Sequence, residues 1–282
     1  MGRILVIGGT GTVGRKVVAQ LSERGEQVVV FARNPDAVAF PSRVERARGD
    51  LTIPETLETC LRNIDAVFLT WTAPASAVVP ALERITKYTR RIVFLSAPLK
   101  TPHPLFQQPN AGRTIAEKIE YLIESSGSEW TFLRPGMFAP NSLEWWGPQL
   151  RLGNVVRWPY LSVPTAPIDE RDIAAVAVRA LCEQGHAKAE YVMTGPESLK
   201  HFEQISTIGR ALGRSLQVEE MSPAEARTEL LTIMPPVVIN MLLSAWGAAV
   251  GLPAHVTNTV AEVTGRPARS FEEWSIDNAL AF

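Results

Sequence analysis

Residues 4–14 read ILVIGGTGTVG, an apolar run followed at once by a glycine-rich loop. The four residues of the run lack any polar alternation, which predicts a strand buried on both faces. After the loop, Val17, Val18 and Leu21 recur at the spacing of one helix face. A glycine-rich turn between a buried strand and a helix is the arrangement that holds the pyrophosphate of a dinucleotide.

The loop can be read as G-x-x-G-x-x-G or as G-x-G-x-x-G, since it begins with two adjacent glycines. In either reading one glycine lets the backbone approach the phosphates and the last lets the helix pack on the strand. A tight turn without a ligand is the alternative, but the strand before the loop and the strand that follows its helix favour a dinucleotide. The predicted cofactor-binding residues of the loop are Gly8, Thr10, Gly11, Thr12, Val13 and Gly14.

Apolar runs and helical stretches alternate along the first half of the chain. Strands are predicted at 3–7, 27–32, 44–48, 66–69, 91–95 and 130–134, and helices at 12–24, 54–62, 76–88 and 113–126. Such alternation predicts an α/β fold, a doubly wound parallel Rossmann sheet with right-handed crossovers. We therefore assign residues 1–135 to a dinucleotide-binding Rossmann core.

Beyond residue 135 the pattern changes to segments rich in Pro, Trp and Gly, before helical patterns resume at 170–183 and 199–212. Residues 136–282 are predicted to form a smaller, mixed cap region for the substrate, interleaved with the last strands of the sheet. Residues 230–261 carry no Asp, Glu, Lys or Arg. Prolines interrupt this tract and leave too few residues to cross a bilayer, so we expect a pocket wall, a homodimer contact or a protein-partner surface.

Arg33 follows the second predicted strand, where a carboxylate would mark a preference for NAD. A guanidinium instead suits a 2′-phosphate, so NADP(H) is favoured over NAD(H), with a solvated surface arginine as the alternative. Asp50 and Leu51, after the third strand, are candidates for the adenine edge. Thr70 and Trp71 lie at the carboxyl end of the fourth strand, the edge where open α/β sheets bind ligands.

The composition excludes several classes of protein. With 28 Lys+Arg against 29 Asp+Glu, the chain has no basic excess for nucleic acid or an anionic membrane. Two cysteines cannot form a disulfide framework, the four histidines show no ligand spacing, and the chain begins directly with a predicted strand. We expect a cytoplasmic protein without a metal site.

Several segments together resemble the NmrA-like group of atypical short-chain dehydrogenase/reductases. They are residues 8–14, 31–35, 49–51, 94–97, 126–138 and 167–174, while 263–267 is similar to the tail of the ergot-alkaloid reductase branch. The resemblance covers nearly the whole chain. It implies NADP(H) along the carboxyl edge of the sheet, nicotinamide near Pro135 and Phe138, and a substrate under the C-terminal half.

The sequence departs from the wider superfamily at its catalytic pair. Ordinary members carry Tyr-x-x-x-Lys on the helix before the sixth strand, but the corresponding positions here are Gly112 and Ala116. A shift of two residues gives Thr114 and Lys118, so Lys118 is only a weak catalytic candidate. Carbonyl reduction by the Tyr/Lys route is therefore not expected.

Three functions remain open. The favoured one is an NADPH-dependent reductase whose small apolar or aromatic acceptor is already electrophilic: an iminium, a quinone or a conjugated enone. The second is a non-catalytic NADP(H) sensor acting through a protein partner, and the third is a nucleotide-sugar epimerase-like enzyme. Candidate substrate residues are His103, after the fifth strand, and Trp145 and Trp146, which could form an aromatic pocket.

Overall fold

The computed structural model describes residues 2–282. Its strands are Arg3–Ile7 (β1), Gln27–Ala32 (β2), Glu45–Arg48 (β3), Ala66–Thr70 (β4), Arg91–Leu95 (β5), Glu129–Pro135 (β6), Val155–Trp158 (β7), Pro164–Thr165 (β8), Ala189–Met193 (β9), Leu199–Lys200 (β10) and Gln217–Glu220 (β11). Its α-helices are Thr12–Glu23 (α1), Glu58–Leu61 (α2), Val78–Tyr88 (α3), Ala111–Ser125 (α4), Asn141–Trp145 (α5), Gly147–Leu152 (α6), Glu170–Cys182 (α7), His201–Ala211 (α8), Pro223–Glu229 (α9), Pro236–Ala249 (α10), Thr259–Thr264 (α11) and Phe271–Asp277 (α12).

Seven strands form one sheet in the order β3-β2-β1-β4-β5-β6-β9. Every neighbouring pair is parallel, so all carboxyl ends meet at one edge. The strand order reverses between β1 and β4, which is where such sheets bind ligands. The predicted doubly wound parallel sheet is confirmed, and each of the six predicted strands is present.

The seventh strand, β9, was not predicted from the sequence. It reads AEYVM and lies at the edge of the sheet, where only Met193 is buried. An edge strand with few buried side chains has a weak hydrophobic pattern, which explains why the sequence did not reveal it.

Helices cover both faces of the sheet. On one face α1 packs against α7, with Val17 and Leu21 of α1 in the same buried cluster as the small side chains Ala174 and Ala177 of α7. On the other face α2, α3 and α4 bury their apolar sides against the sheet. This three-layer arrangement buries both faces of the sheet, so a site is expected at its carboxyl edge.

The remaining C-terminal elements surround a third apolar cluster that contains Trp146, Trp158, Trp246 and Trp274, all fully buried. Two small sheets, β8 with β10 and β7 with β11, support this cap. The first six strands of the main sheet end at Pro135, but two later elements also belong to it: α7 packs on one face and β9 pairs with β6. The assignment of 1–135 and 136–282 to separate domains remains a prediction.

Candidate cofactor and substrate site

The glycine loop between β1 and α1 is tightly folded against itself and against β4. Gly8 has φ +83°, and its carbonyl accepts a hydrogen bond of 3.0 Å from Gly11 N. A Cβ on Gly14 would lie 2.2 Å from Gly8 O, and one on Gly8 would lie 2.9 Å from Thr70 Cβ. The close approach requires glycine at both positions.

The first turn of α1 is open to an anion. The helix begins after Gly11 without a capping side chain, and its first turn contains no acidic residue. The N–H groups of Thr12, Val13 and Gly14 therefore have no partner within the helix. Because the helix dipole adds positive potential at this end, the loop fits the diphosphate of a dinucleotide.

Arg33 lies one residue beyond β2 at the same edge of the sheet. Its side chain is exposed and makes no ion pair or hydrogen bond with any part of residues 2–282. The nearest carboxylate along the chain, Asp36, is instead paired with Arg46 at 3.1 Å and with Arg48 at 3.5 Å. The guanidinium of Arg33 is thus available to a phosphate.

Asp50 and Leu51 follow β3. Asp50 Oδ1 accepts hydrogen bonds of 2.9 Å from both N and Oγ1 of Thr52, and these bonds hold the pKa of the Asp50 carboxyl below its ordinary value. Leu51 is buried in the cluster on the α2–α4 face. Asp50 therefore stabilises its own turn as an ionised group, while Oδ2 accepts no hydrogen bond from residues 2–282.

Thr70 and Trp71 lie at the carboxyl end of β4. Thr70 contacts the glycine loop, as the close approach to Gly8 shows. The indole N–H of Trp71 donates to Ala73 O at 2.7 Å, and the ring packs partly against the same apolar cluster as Leu51. Trp71 thus shapes the loop after β4, with its polar atom already satisfied.

A cavity of about 170 Å³ lies beyond the carboxyl ends of β5 and β6. Its walls are mainly apolar and come from the segment after β5, from the end of β6 and from α10. The lining residues are Ala97, Pro98, Leu105, Phe106, Gln108, Asn110, Arg113, Gly136, Met137, Met241, Leu242, Ala245 and Trp246. Its volume is below the roughly 300–1,000 Å³ of pockets for drug-sized ligands, so it suits a small acceptor.

The two residues predicted near the nicotinamide flank this cavity. Pro135 is paired with Met193 of β9, and Phe138 forms an isolated bridge with Ile168. Gly136 and Met137, between them, line the cavity. The strand ends therefore bring the predicted cofactor region and the cavity side by side.

Helix α10 lies in the uncharged tract 230–261 and forms the far wall of the cavity. Met241, Leu242 and Ala245 line the cavity, whereas Val237 on the same helix is 70% exposed. Among residues 2–282 no helix is both long and apolar enough to cross a membrane. The tract thus provides a pocket wall, and the partner surface remains a prediction.

The positions of the usual catalytic pair lie on α4, outside the cavity lining. Gly112, Thr114 and Lys118 are exposed and Ala116 is buried against the sheet. The lining contains no Tyr, Lys, His, Asp, Glu or Cys from any part of residues 2–282. The cavity therefore has no side chain that donates a proton readily at neutral pH.

The three candidate substrate residues also lie outside the cavity lining. His103 is buried, its Nδ1 accepts from Leu105 N at 3.2 Å, and its Nε2 therefore donates to Pro253 O at 2.9 Å. It joins two loops. Trp145 and Trp146 pack in the cap core, where the ring centroids of Trp145 and Trp246 are 5.5 Å apart.

A buried ion network that the sequence did not reveal supports the strand ends. Arg134 of β6 donates to Glu120 of α4 at 2.6 and 3.0 Å and to Glu190 of β9 at 2.5 Å. Burial disfavours the charged guanidinium, yet the hydrogen bonds to both carboxylates raise the pKa of Arg134. Ser96 donates to Glu120 at 2.6 Å, so the network also fixes the segment after β5.

A concavity of about 940 Å³ forms a solvent groove between α1 and α7. It includes no residue of the glycine loop or of the strand ends. Two of its arginines already pair with carboxylates, Arg171 with Asp169 and Arg269 with Asp172. Within residues 2–282 no three acidic, His or Cys side chains are grouped as metal ligands.

Known proteins resemble this chain over its full length. A family model described as NAD(P)H-binding matches residues 8–184. The (4-alkanoyl-5-oxo-2,5-dihydrofuran-3-yl)methyl phosphate reductase of Streptomyces griseus is 38% identical over 99% of both chains, and the NAD(P)H azoreductase of Xenophilus azovorans is 32% identical over 99% of both. The structure of an NADPH-dependent quinone oxidoreductase from Escherichia coli in complex with NADPH has a TM-score of 0.80 at 20% identity, over 96% of this chain and 98% of that one.

Proposed function

Because this chain belongs to the NAD(P)H-binding family and is an NAD(P)H-dependent oxidoreductase, we propose that its acceptor is a small molecule with an electrophilic conjugated double bond. The observation that carries this proposal is the cavity beside the strand ends, whose lining has no proton donor of suitable pKa. Such a site can reduce only an acceptor that takes hydride without prior protonation.

We assign NADPH as the reductant. The open N-terminus of α1 would hold the diphosphate, and the unpaired guanidinium of Arg33 would hold the 2′-phosphate. When bound, the reduced nicotinamide supplies the hydride. The chain's own contribution is to place the acceptor beside Gly136 and Met137.

The chemistry of the Streptomyces griseus relative's substrate supports a conjugated enone. Its printed name describes a ring double bond that is conjugated with both a lactone carbonyl and an alkanoyl carbonyl. When hydride adds to the carbon β to these carbonyls, the π electrons move to the α-carbon and spread over two carbonyl oxygens. A proton from water then completes the reduction at the α-carbon, so the Tyr/Lys pair is not required.

The residues of the cavity are suited to hold such an acceptor by apolar packing. Met137, Phe106 and Leu242 provide apolar walls, which favour a neutral ring and disfavour bulk water. Gly136 has no side chain to narrow this part of the cavity, since a Cβ there would lie 3.3 Å from Phe106 Cζ. We infer that these contacts orient the acceptor's double bond toward the cofactor edge of the sheet.

The test is the loss of NADPH absorbance with a panel of acceptors: a 4-alkanoyl butenolide, a quinone, a cyclic imine and an azo dye. The proposal expects the conjugated butenolide to give the highest kcat/KM. A preference for the azo dye or the quinone would reject the enone assignment. Tight NADPH binding with no oxidation by any acceptor would favour the NADP(H) sensor, and turnover of a nucleotide sugar would favour the epimerase.

A further inference from the structure

The polar residues of the substrate cavity are confined to one side. Gln108, Asn110 and Arg113 come from a single segment at the start of α4, whereas the walls from β6 and α10 are apolar. Arg113 is the only charged side chain in the lining among residues 2–282. The cavity thus has an apolar interior with one arginine at its polar side, and the same side chain also borders a neighbouring concavity that contains Leu99 and Glu117.

The guanidinium of Arg113 is held in place by backbone groups. Nη1 donates to Phe106 O at 3.1 Å and Nη2 donates to Leu99 O at 2.5 Å. A guanidinium has five N–H donors, so these two bonds fix its plane and leave further donors for a ligand. A donor that is already immobilised binds an anion at a smaller entropic cost.

The charge of Arg113 is only partly compensated. Glu117, one turn further along α4, approaches Nε at 3.2 Å, and its side chain is 50% exposed. The first turn of α4 contains no acidic residue. An exposed carboxylate is a weak partner, so a doubly charged ligand can compete with Glu117 for the guanidinium.

We propose that Arg113 binds an anionic head group of the acceptor, a phosphate monoester, while the apolar walls hold the acceptor's ring and alkyl part. This inference rests on the proposed function, because it gives the same cavity a substrate class. A phosphate monoester carries nearly two negative charges at pH 7 and matches the fork of a guanidinium. Arg113 is then the residue that selects phosphorylated over neutral acceptors.

The experiment compares two acceptors that differ only in the head group: a (4-alkanoyl-5-oxo-2,5-dihydrofuran-3-yl)methyl phosphate and its hydroxymethyl alcohol. For the unaltered protein we expect kcat/KM for the phosphate to exceed that for the alcohol at least tenfold. In Arg113→Gln this ratio should fall to about one, mainly through a higher KM for the phosphate. In Arg113→Lys we expect a ratio between that of the unaltered protein and that of Arg113→Gln, because the positive charge remains but the fork-shaped guanidinium is lost.

Two further variants separate binding from structure. Glu117→Gln removes the competing carboxylate and should lower KM for the phosphate about twofold or more, a gain that a merely structural role would not produce. Lys100→Gln removes an exposed positive charge that pairs with Glu190 and does not line the cavity, and it should leave the ratio unchanged. An unchanged ratio in Arg113→Gln, or an equal loss in Lys100→Gln, would overturn the inference.

A binding measurement keeps the inference testable if the enone proposal fails. Hexyl phosphate is titrated by calorimetry into protein saturated with NADP⁺, so that the cofactor's phosphate sites are filled. We expect Arg113→Gln to raise the Kd for hexyl phosphate at least tenfold. If the protein reduces neither butenolide yet shows this loss, only the proposed acceptor is wrong; if hexyl phosphate binds both proteins equally, the head-group assignment is wrong.

Discussion

The choice of cofactor can be tested at Arg33. The Arg33→Asp substitution replaces the unpaired guanidinium beyond β2 with a carboxylate. Arg33 makes no hydrogen bond or ion pair within residues 2–282 that the substitution would release, but its charge helps to lower the pKa of Asp50. The difference between the changes in NADPH and NADH affinity therefore reports on the 2′-phosphate contact, since any effect through Asp50 acts on both coenzymes.

The expected magnitude follows from exposure and charge. A hydrogen bond to a charged group contributes about 1.5–3 kcal/mol, and the exposed position of Arg33 indicates the lower end, or roughly a tenfold effect on Kd. The introduced carboxylate also repels the 2′-phosphate by about 1 kcal/mol per charge pair near 4 Å in water. Together we expect NADPH to bind roughly a hundredfold more weakly, while the Kd for NADH changes less than about threefold.

The assay is a calorimetric titration with NADPH and NADH at low and high ionic strength. The NADPH effect should shrink at high salt, because exposed charges are screened within about 10 Å at 0.1 M. Arg90→Asp is the matched control, since Arg90 is exposed just before β5, at the opposite edge of the sheet. Equal weakening of both coenzymes, or the same loss in Arg90→Asp, would refute the assignment of Arg33.

Three further predictions concern the loop, the cavity and the cap. Gly14→Ala places a Cβ 2.2 Å from Gly8 O, so we expect the displaced loop to bind NADPH on the order of a hundredfold more weakly in the same titration. Ala245→Leu fills part of the cavity and should raise KM for the acceptor about tenfold in steady-state kinetics, with the NADPH Kd unchanged. Burial lowers the pKa of His201 to about 4, so urea unfolding should show stability falling by roughly 3 kcal/mol as pH drops from about 6.5 to about 4.

Each of these has its own control. Gly153→Ala should bind NADPH normally, since a Cβ at Gly153 meets nothing within 4 Å; if it matches Gly14→Ala, the loop geometry is not the cause. Ala248→Leu lies on the exposed side of α10 and should keep KM for the acceptor, so a shared increase would disprove the cavity wall. Stability falls with falling pH because the pKa of His201 is lower in the folded than in the unfolded protein, so the unfolded state takes up the proton first. His201→Phe should make the free energy of unfolding depend less on pH between about 6.5 and 4. If the dependence is the same in His201→Phe, His201 is not its cause.

Much of the geometry of the candidate cofactor site was predictable because its signals are local. A strand, a glycine loop and a helix occupy residues 3–23 without interruption, and the conformation of each residue follows from its neighbours in the chain. Arg33, Asp50 and Thr70 lie just beyond, or at the end of, three parallel strands, and the parallel topology alone brings such positions to one edge.

The candidate substrate cavity was not predictable, because its lining residues are far apart in the sequence. The cavity joins Ala97, Arg113 and Gly136 to Ala245, positions that come together only when α10 packs over the ends of β5 and β6. His103, Trp145 and Trp146 carry side chains typical of binding sites, but hydrogen bonds and ring packing place them in the supporting structure.

The buried ion network shows the same division. Nothing in the sequence around Glu120, Arg134 or Glu190 links them, because a helix and two strands have to be assembled before their charges can meet. The sequence by itself determined the parallel sheet, the glycine loop before α1 and the position of Arg33 just beyond β2, since these depend on short-range pattern and strand direction. Tertiary structure alone decided the shape, polarity and lack of acid groups of the cavity beside β5 and β6, since these depend on which distant side chains the packing of α10 brings together.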